Sequence, residues 1–345
     1  MIEPSPEHAG AGRLDSILDT IGGTPLIRLN RVQGRIRTPV FIKAESFNPG
    51  GSVKDRISLA MIDAAERDGL LGPGGTVVEG TSGNTGIGLA MVAAVRGYRC
   101  VFTIPEKMSA EKIRLLRAFG AEVIVTPSDV SPDHPDYYVN VAKRIARETP
   151  GAFMANQHYN QENPEAHYLT TGPEIWEQTA GAVTHFVASP GTGGTISGIA
   201  RYLKERNSEI RIVAGDPVGS IYAEYSRSGV VGKDAPYLVE GIGNDKISST
   251  LHFDRIDEFR SVTDVEAFSM ARRLAREEGL LAGASTGLIV KVALDVAREL
   301  DDPDSCVVTL LCDTGERYLS KVFDEDWLRD NGLSDVLEAE AARKG

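Results

Sequence analysis

Cysteine is scarce: 345 residues contain three, Cys100, Cys306 and Cys312. That excludes a disulfide framework, and their apolar, strand-like surroundings read as reduced thiols of a cytoplasmic protein. Basic residues are outnumbered, 37 Lys and Arg against 49 Asp and Glu, leaving a net charge of −12. Such a balance argues against nucleic acid or an anionic membrane as partner. No apolar run approaches the roughly 20 residues that cross a bilayer. The N-terminal stretch carries Glu3, Glu7 and Asp15 with no apolar centre and does not read as a secretory signal. Internal repeats and low-complexity tracts are lacking, and no metal is expected.

What is present is the mix of a soluble globular protein, 41% hydrophobic and 25% charged, long enough for two domains. Runs at 39–44, 76–79, 100–104 and 122–126 read as strands, with helices over 57–68, 86–95, 109–119 and near 138–148. A second series sets strands at 184–188, 210–214 and 306–311 beside helices at 196–206, 263–279 and 285–300, and 220–233 reads as irregular. Ser109 is expected to cap its helix, and Thr263 with Glu266 forms a capping box. Alternation of this kind predicts an α/β fold of two domains with mainly parallel sheets and a cleft between them. The expected division is a small mobile domain over 46–150, a larger cofactor-binding domain over 1–45 and 151–330, and a tail from 331. Ligands of such sheets bind where strands end and helices begin.

Four loops of that kind stand out. In Asn48-Pro49-Gly50-Gly51-Ser52-Val53-Lys54-Asp55-Arg56 a tight turn delivers Lys54 to a helix start, where packing can desolvate its amine and free it for a Schiff base. In Thr81-Ser82-Gly83-Asn84-Thr85-Gly86, hydroxyls and free helix-start amides form a receptor for a carboxylate or phosphate. Gly191-Thr192-Gly193-Gly194-Thr195 lacks a P-loop lysine and best suits a phosphate monoester. Gly283-Ala284-Ser285-Thr286-Gly287 alone is a serine at a helix start. A positioned lysine with two anion cradles suggests pyridoxal phosphate and an amino-acid substrate.

These motifs, in this order, resemble those of the cysteine synthase and cystathionine β-synthase family, pyridoxal phosphate enzymes of the tryptophan-synthase-β type, from about Leu18 to Trp327. The resemblance implies fold type II with the cofactor in the cleft. It implies that Lys54 anchors the cofactor and moves the Cα proton, and that Asn84 bonds the ring hydroxyl. The 191–195 loop would bind the phosphate and Ser285 would face the ring nitrogen. Thr81, Ser82, Asn84, Thr85 and Gln157 would hold the substrate carboxylate, with His158 and Gly241 lining the substrate side. A hydroxyl at Ser285, in place of a carboxylate, favours β-elimination to an aminoacrylate followed by addition of a nucleophile. The expected assembly is a homodimer.

The branch divides. Glu106-Lys107-Met108-Ser109 and Ala166-His167-Tyr168 resemble cystathionine β-synthases, whereas 311–318, ending Asp313-Thr314-Gly315-Glu316-Arg317-Tyr318, resembles cysteine synthases. His158 and Asn244 stand where animal and yeast cystathionine enzymes carry tyrosines, and no paired regulatory module follows Trp327. We favour cysteine formation from O-acetylserine and sulfide. The alternatives are cystathionine formation from serine and homocysteine, or replacement by an amine. His158 reads either as a hydrogen-bonded cleft residue or as a group titrating near neutrality.

Overall fold

The computed structural model describes residues 13–81 and 83–344; Ser82 and most of the N-terminal stretch discussed above lie outside them. In chain order the strands are β1 (Leu26–Arg28), β2 (Val40–Ala44), β3 (Thr76–Gly80), β4 (Arg99–Pro105), β5 (Glu122–Thr126), β6 (Ala152–Met154), β7 (His185–Ala188), β8 (Arg211–Pro217), β9 (Glu258–Val262) and β10 (Val307–Leu311). The helices are α1 (Lys54–Arg67), α2 (Asn84–Arg96), α3 (Ala110–Ala118), α4 (Tyr138–Glu148), α5 (Glu162–Leu169), α6 (Thr171–Gln178), α7 (Gly194–Arg206), α8 (Tyr222–Ser228), α9 (Asp264–Arg273), α10 (Ala284–Leu300), α11 (Glu325–Asp330) and α12 (Ser334–Lys344).

The strands form two sheets. Six lie in the order β1-β2-β10-β7-β8-β9, parallel except for β1, and four in the order β5-β4-β3-β6, all parallel. Helices cover both faces of such sheets, which is why β3 and β10 are apolar-rich and buried along their whole length. One core gathers Ile42, Phe186, Ile212 and Leu310 with α7, α9 and α10; a second gathers Ile57, Met61, Ile87 and Phe102 around the smaller sheet.

The structure amends the sequence reading in several places. The smaller sheet takes its fourth strand, β6, from beyond the Pro150-Gly151 break, because Thr76, Val77 and Val78 need a partner on that edge. The segment read as irregular contains α8. Ser109 occupies the N-cap of α3 but makes no cap hydrogen bond, and its hydroxyl is buried without a partner. Thr263 and Glu266 do form the capping box of α9. Among the described residues, no helix is long and apolar enough to cross a membrane and no His, Cys, Asp or Glu group could hold a metal ion.

Candidate active site

Four helices start at one cleft between the sheets: α1 at Lys54, α2 at Asn84, α7 at Gly194 and α10 at Ala284. The cleft has a volume of about 1160 Å³, above the roughly 300–1,000 Å³ usual for one small-molecule site. Each helix start turns the positive end of its dipole to the cleft, which attracts anions at several points; the first two amides of α1 are themselves taken by Ser52.

Lys54 opens α1 directly after the turn, three residues ahead of the 57–68 run read as helix, and lines the cleft. Its pKa is lowered, because burial penalises the ammonium more than Cys312, Asp313 and Glu45 favour it. A larger neutral fraction of the amine is the property a nucleophilic lysine requires. The junction is rigidly built: Val53 N–H donates to Cys312 O at 2.9 Å, and Asp55 accepts from Gly50 N at 2.6 Å.

Gly191, Thr192, Gly193 and Thr195 line the cleft, with Gly194 just behind. A Cβ at Gly191 would run into the carbonyl of Gly241, one at Gly193 into Leu251 and one at Gly194 into the Asn163 amide. Gly193 also has φ +90°, left-handed backbone that a side chain would strain. Only glycine lets the chain pass here and aim the first amides of α7 into the cleft. Thr192 is braced from behind by Asn163 Nδ2 at 2.9 Å, and Thr195 Oγ1 lies 3.1 Å from His167 Nε2.

Thr85 and Gln157 face the cleft together, the Thr85 hydroxyl donating to Gln157 Oε1 at 2.6 Å. Glu79 fixes that corner by accepting from the backbone N–H of Asn156 and of Gln157 at 2.6 and 3.2 Å. Burial pushes the Glu79 carboxyl up to about 7. Thr81, expected among the carboxylate ligands, is absent from the lining; its Oγ1 accepts from Gly83 and Gly86 N–H and shapes the loop instead.

Asn84 lines the cleft, but its amide bridges two residues to which sequence reading assigned no role. Its Nδ2 donates to Asp313 Oδ2 at 2.6 Å and its Oδ1 accepts from Arg317. Ser285, in the first turn of α10, also lines the cleft.

His158 and Asn244, far apart in sequence, meet at the cleft wall beside Gly241. His158 Nδ1 lies 2.8 Å from Ser248 Oγ and 3.4 Å from Asn244 Nδ2, and Asn244 donates to the Tyr222 hydroxyl at 3.1 Å. Tyr222 in turn donates to Gly191 O at 2.8 Å. Burial, helped by the nearby Lys54 charge, lowers His158 to about 4. The imidazole forms part of a hydrogen-bonded wall, and burial disfavours its charged form. Tyr222, Ser248, Asp313 and Arg317 are the residues that motif reading passed over. Only the string at 311–318 carried a signal for the last two.

Comparison with known proteins agrees with this geometry. The family model described as "Pyridoxal-phosphate dependent enzyme" matches residues 17–313. The chain is 47% identical over 343 residues to "Cystathionine beta-synthase" of Oryctolagus cuniculus, covering 98% of this chain and 62% of that protein. It spans about three-fifths of the length of the curated relatives it matches. Among solved structures, an O-ureido-L-serine synthase superposes with TM-score 0.84 at 40% identity, covering 91% of this chain and 96% of that one. An O-acetylserine dependent cystathionine beta-synthase from Helicobacter pylori gives TM-score 0.82 at 38% identity, covering 90% and 98%.

Proposed function

The chain belongs to the pyridoxal-phosphate dependent enzyme family, and from that premise we propose that it replaces the β-substituent of L-serine or an O-activated L-serine with a thiol. The observation that carries the proposal is the pairing, in one cleft, of a buried amine of lowered pKa at Lys54 with the glycine-built anion cradle at 191–195. The residues fit the cofactor. The cradle is built from glycines whose Cβ would collide with Gly241, Leu251 and Asn163, and its helix-start amides suit a phosphate. Lys54 would anchor the group, and Asn84 and Ser285 would meet its ring.

Bound pyridoxal phosphate supplies an electron sink that weakens the Cα–H bond of an amino acid. The chain does the rest. Thr85, Gln157 and the amides opening α2 hold the carboxylate. Lys54 Nζ takes the Cα proton, the Cβ substituent leaves with its bonding pair, the thiol adds at Cβ as a thiolate with its proton balancing the departed anion, and Lys54 returns a proton to Cα. Ser285 offers a hydroxyl where a carboxylate would keep the ring protonated, which favours rapid loss of the β-substituent. His158, its charged form disfavoured by burial, forms part of the cleft wall in this reading.

The sequence motifs place sulfide first among nucleophiles. The size of the cleft and the names of the relatives support the larger thiol, homocysteine, and cystathionine as product. The string at 311–318, and His158 and Asn244 where animal and yeast cystathionine enzymes carry tyrosines, favour cysteine formation. The test is to load the protein with pyridoxal phosphate, supply serine or O-acetylserine with homocysteine, sulfide or an amine, and identify products by mass spectrometry. Cystathionine supports this reading, and cysteine as sole product restores sulfide. An amine adduct would move the protein to the third alternative, replacement by an amine. No β-replaced product from any pair overturns the reaction class.

A further inference from the structure

A cluster of buried charge at the cleft mouth takes no part in the chemistry above. Lys112, from α3, is 1% exposed and donates to Glu240 Oε2 at 2.6 Å. Lys321 donates to the other oxygen, Oε1, at 2.7 Å and to Lys107 O at 2.8 Å. One carboxylate thus sits between two ammoniums, and burial, which alone would raise its pKa, is outweighed by the two lysines. The cluster joins separate parts of the fold. Lys107 and Lys112 come from the segment around α3, beside the four-stranded sheet. Glu240 immediately precedes Gly241 of the cleft wall, and Lys321 follows Tyr318.

Two further contacts point inward from Lys112. Its side chain packs against Gly83, where a Cβ would meet Lys112 Cδ at 2.5 Å and where φ is +126°. Its Nζ lies 4.5 Å from the centroid of the Tyr318 ring, whose hydroxyl donates to Asp313, the acceptor for Asn84. Lys112 therefore backs the 83–85 loop on one side and the network that fixes Asn84 on the other.

We propose that Lys112, Glu240 and Lys321 form a latch that fastens α3 and the 83–85 loop against the Glu240-Gly241 segment, making Lys112 a positioning residue for the substrate carboxylate. The inference rests on the reading above that the 83–85 loop receives that carboxylate. Exposed ion pairs contribute little, but a buried charge that loses its partner is strongly unfavourable. Removing Lys112 leaves Glu240 paired with Lys321 alone and breaks the ion pair that ties α3 to the Glu240-Gly241 segment, so the 83–85 loop loses its backing.

The experiment uses the cofactor-loaded protein and Lys112→Met, which keeps a long apolar stem under Gly83 and leaves the Glu240–Lys321 pair intact. Hydrogen exchange of α3 and of 83–85 is measured without amino acid, and the Kd for serine or O-acetylserine is then read from the cofactor's absorbance. The latch predicts faster exchange confined to those segments and a Kd raised about tenfold, within the usual range of coupling between sites, with the cofactor still bound. Exchange and Kd both at wild-type values overturn it, as does exchange raised equally through α9 and α10, which marks a general loss of stability. If Lys112→Met does not fold, Lys321→Met carries the same test: local acceleration at α3 supports the latch, and none overturns it. Local acceleration in a protein whose wild type binds no amino acid supports the latch and removes the substrate reading instead.

Discussion

Lys54 gains its chemistry from where it is buried. An amine in water is almost fully protonated at neutral pH, and desolvation at the start of α1 shifts it toward the nucleophilic form. Arginine in its place would keep the charge but form no Schiff base. Lys54→Arg is therefore expected to lose the visible absorption band of a lysine-anchored cofactor and to slow turnover by about 10³-fold or more. His158 presents the opposite case. With its pKa lowered to about 4, it stays neutral across the working range. The pH–rate profile of His158→Gln should keep the wild-type shape between about pH 6 and 9, whatever happens to its height. A shifted limb in that window would show that the imidazole titrates during turnover.

At the scale of elements, the site depends on how the turn before α1 is held. Glu45 and Glu174 share Arg56, at 2.7 Å to each, and Lys43 adds a contact of 2.6 Å to Glu174. This ties β2, α1 and α6 together directly beneath Lys54. Burial alone would raise the Glu174 pKa, but Arg56 and Lys43 outweigh it and hold it at about 2. A depressed carboxyl contributes stability that is complete above its ordinary 4.5 and fades as pH falls toward 2. Glu174→Gln should cost about 3 kcal/mol near neutrality, and the gap from wild type should narrow between about pH 4.5 and 2 in urea melts.

The same scale shows what the sequence conceals. The motif loops are legible because each is a contiguous string at a helix start, where residue type and backbone demand coincide. β1 and β6 have three residues each, too few for periodicity, and β9 interrupts its apolar pattern with Glu258 and Arg260. α5 and α6 carry Pro164 and Pro173, which read as breaks yet sit in first turns, where proline costs no hydrogen bond. The partners of Asn84 are 229 and 233 residues away, so only the fold brings them together.

For the molecule as a whole, the cleft is the place where two sheets, each with its own core, present their helix starts to one volume. The 191–195 cradle belongs to the six-stranded side and Asn84 to the four-stranded side, so cofactor binding draws on both. Gly194→Ala, whose Cβ would collide with Asn163, should weaken cofactor binding at least tenfold, about 1.4 kcal/mol, with secondary structure intact by circular dichroism. Cofactor attachment is assigned to Lys54, and not to another buried amine such as Lys43 or Lys112. Reduction of the pyridoxal phosphate-loaded protein with borohydride, followed by peptide mapping, tests this directly. A stable phosphopyridoxyl adduct is expected on Lys54; an adduct on Lys43 or Lys112, or none on Lys54, would overturn the assignment.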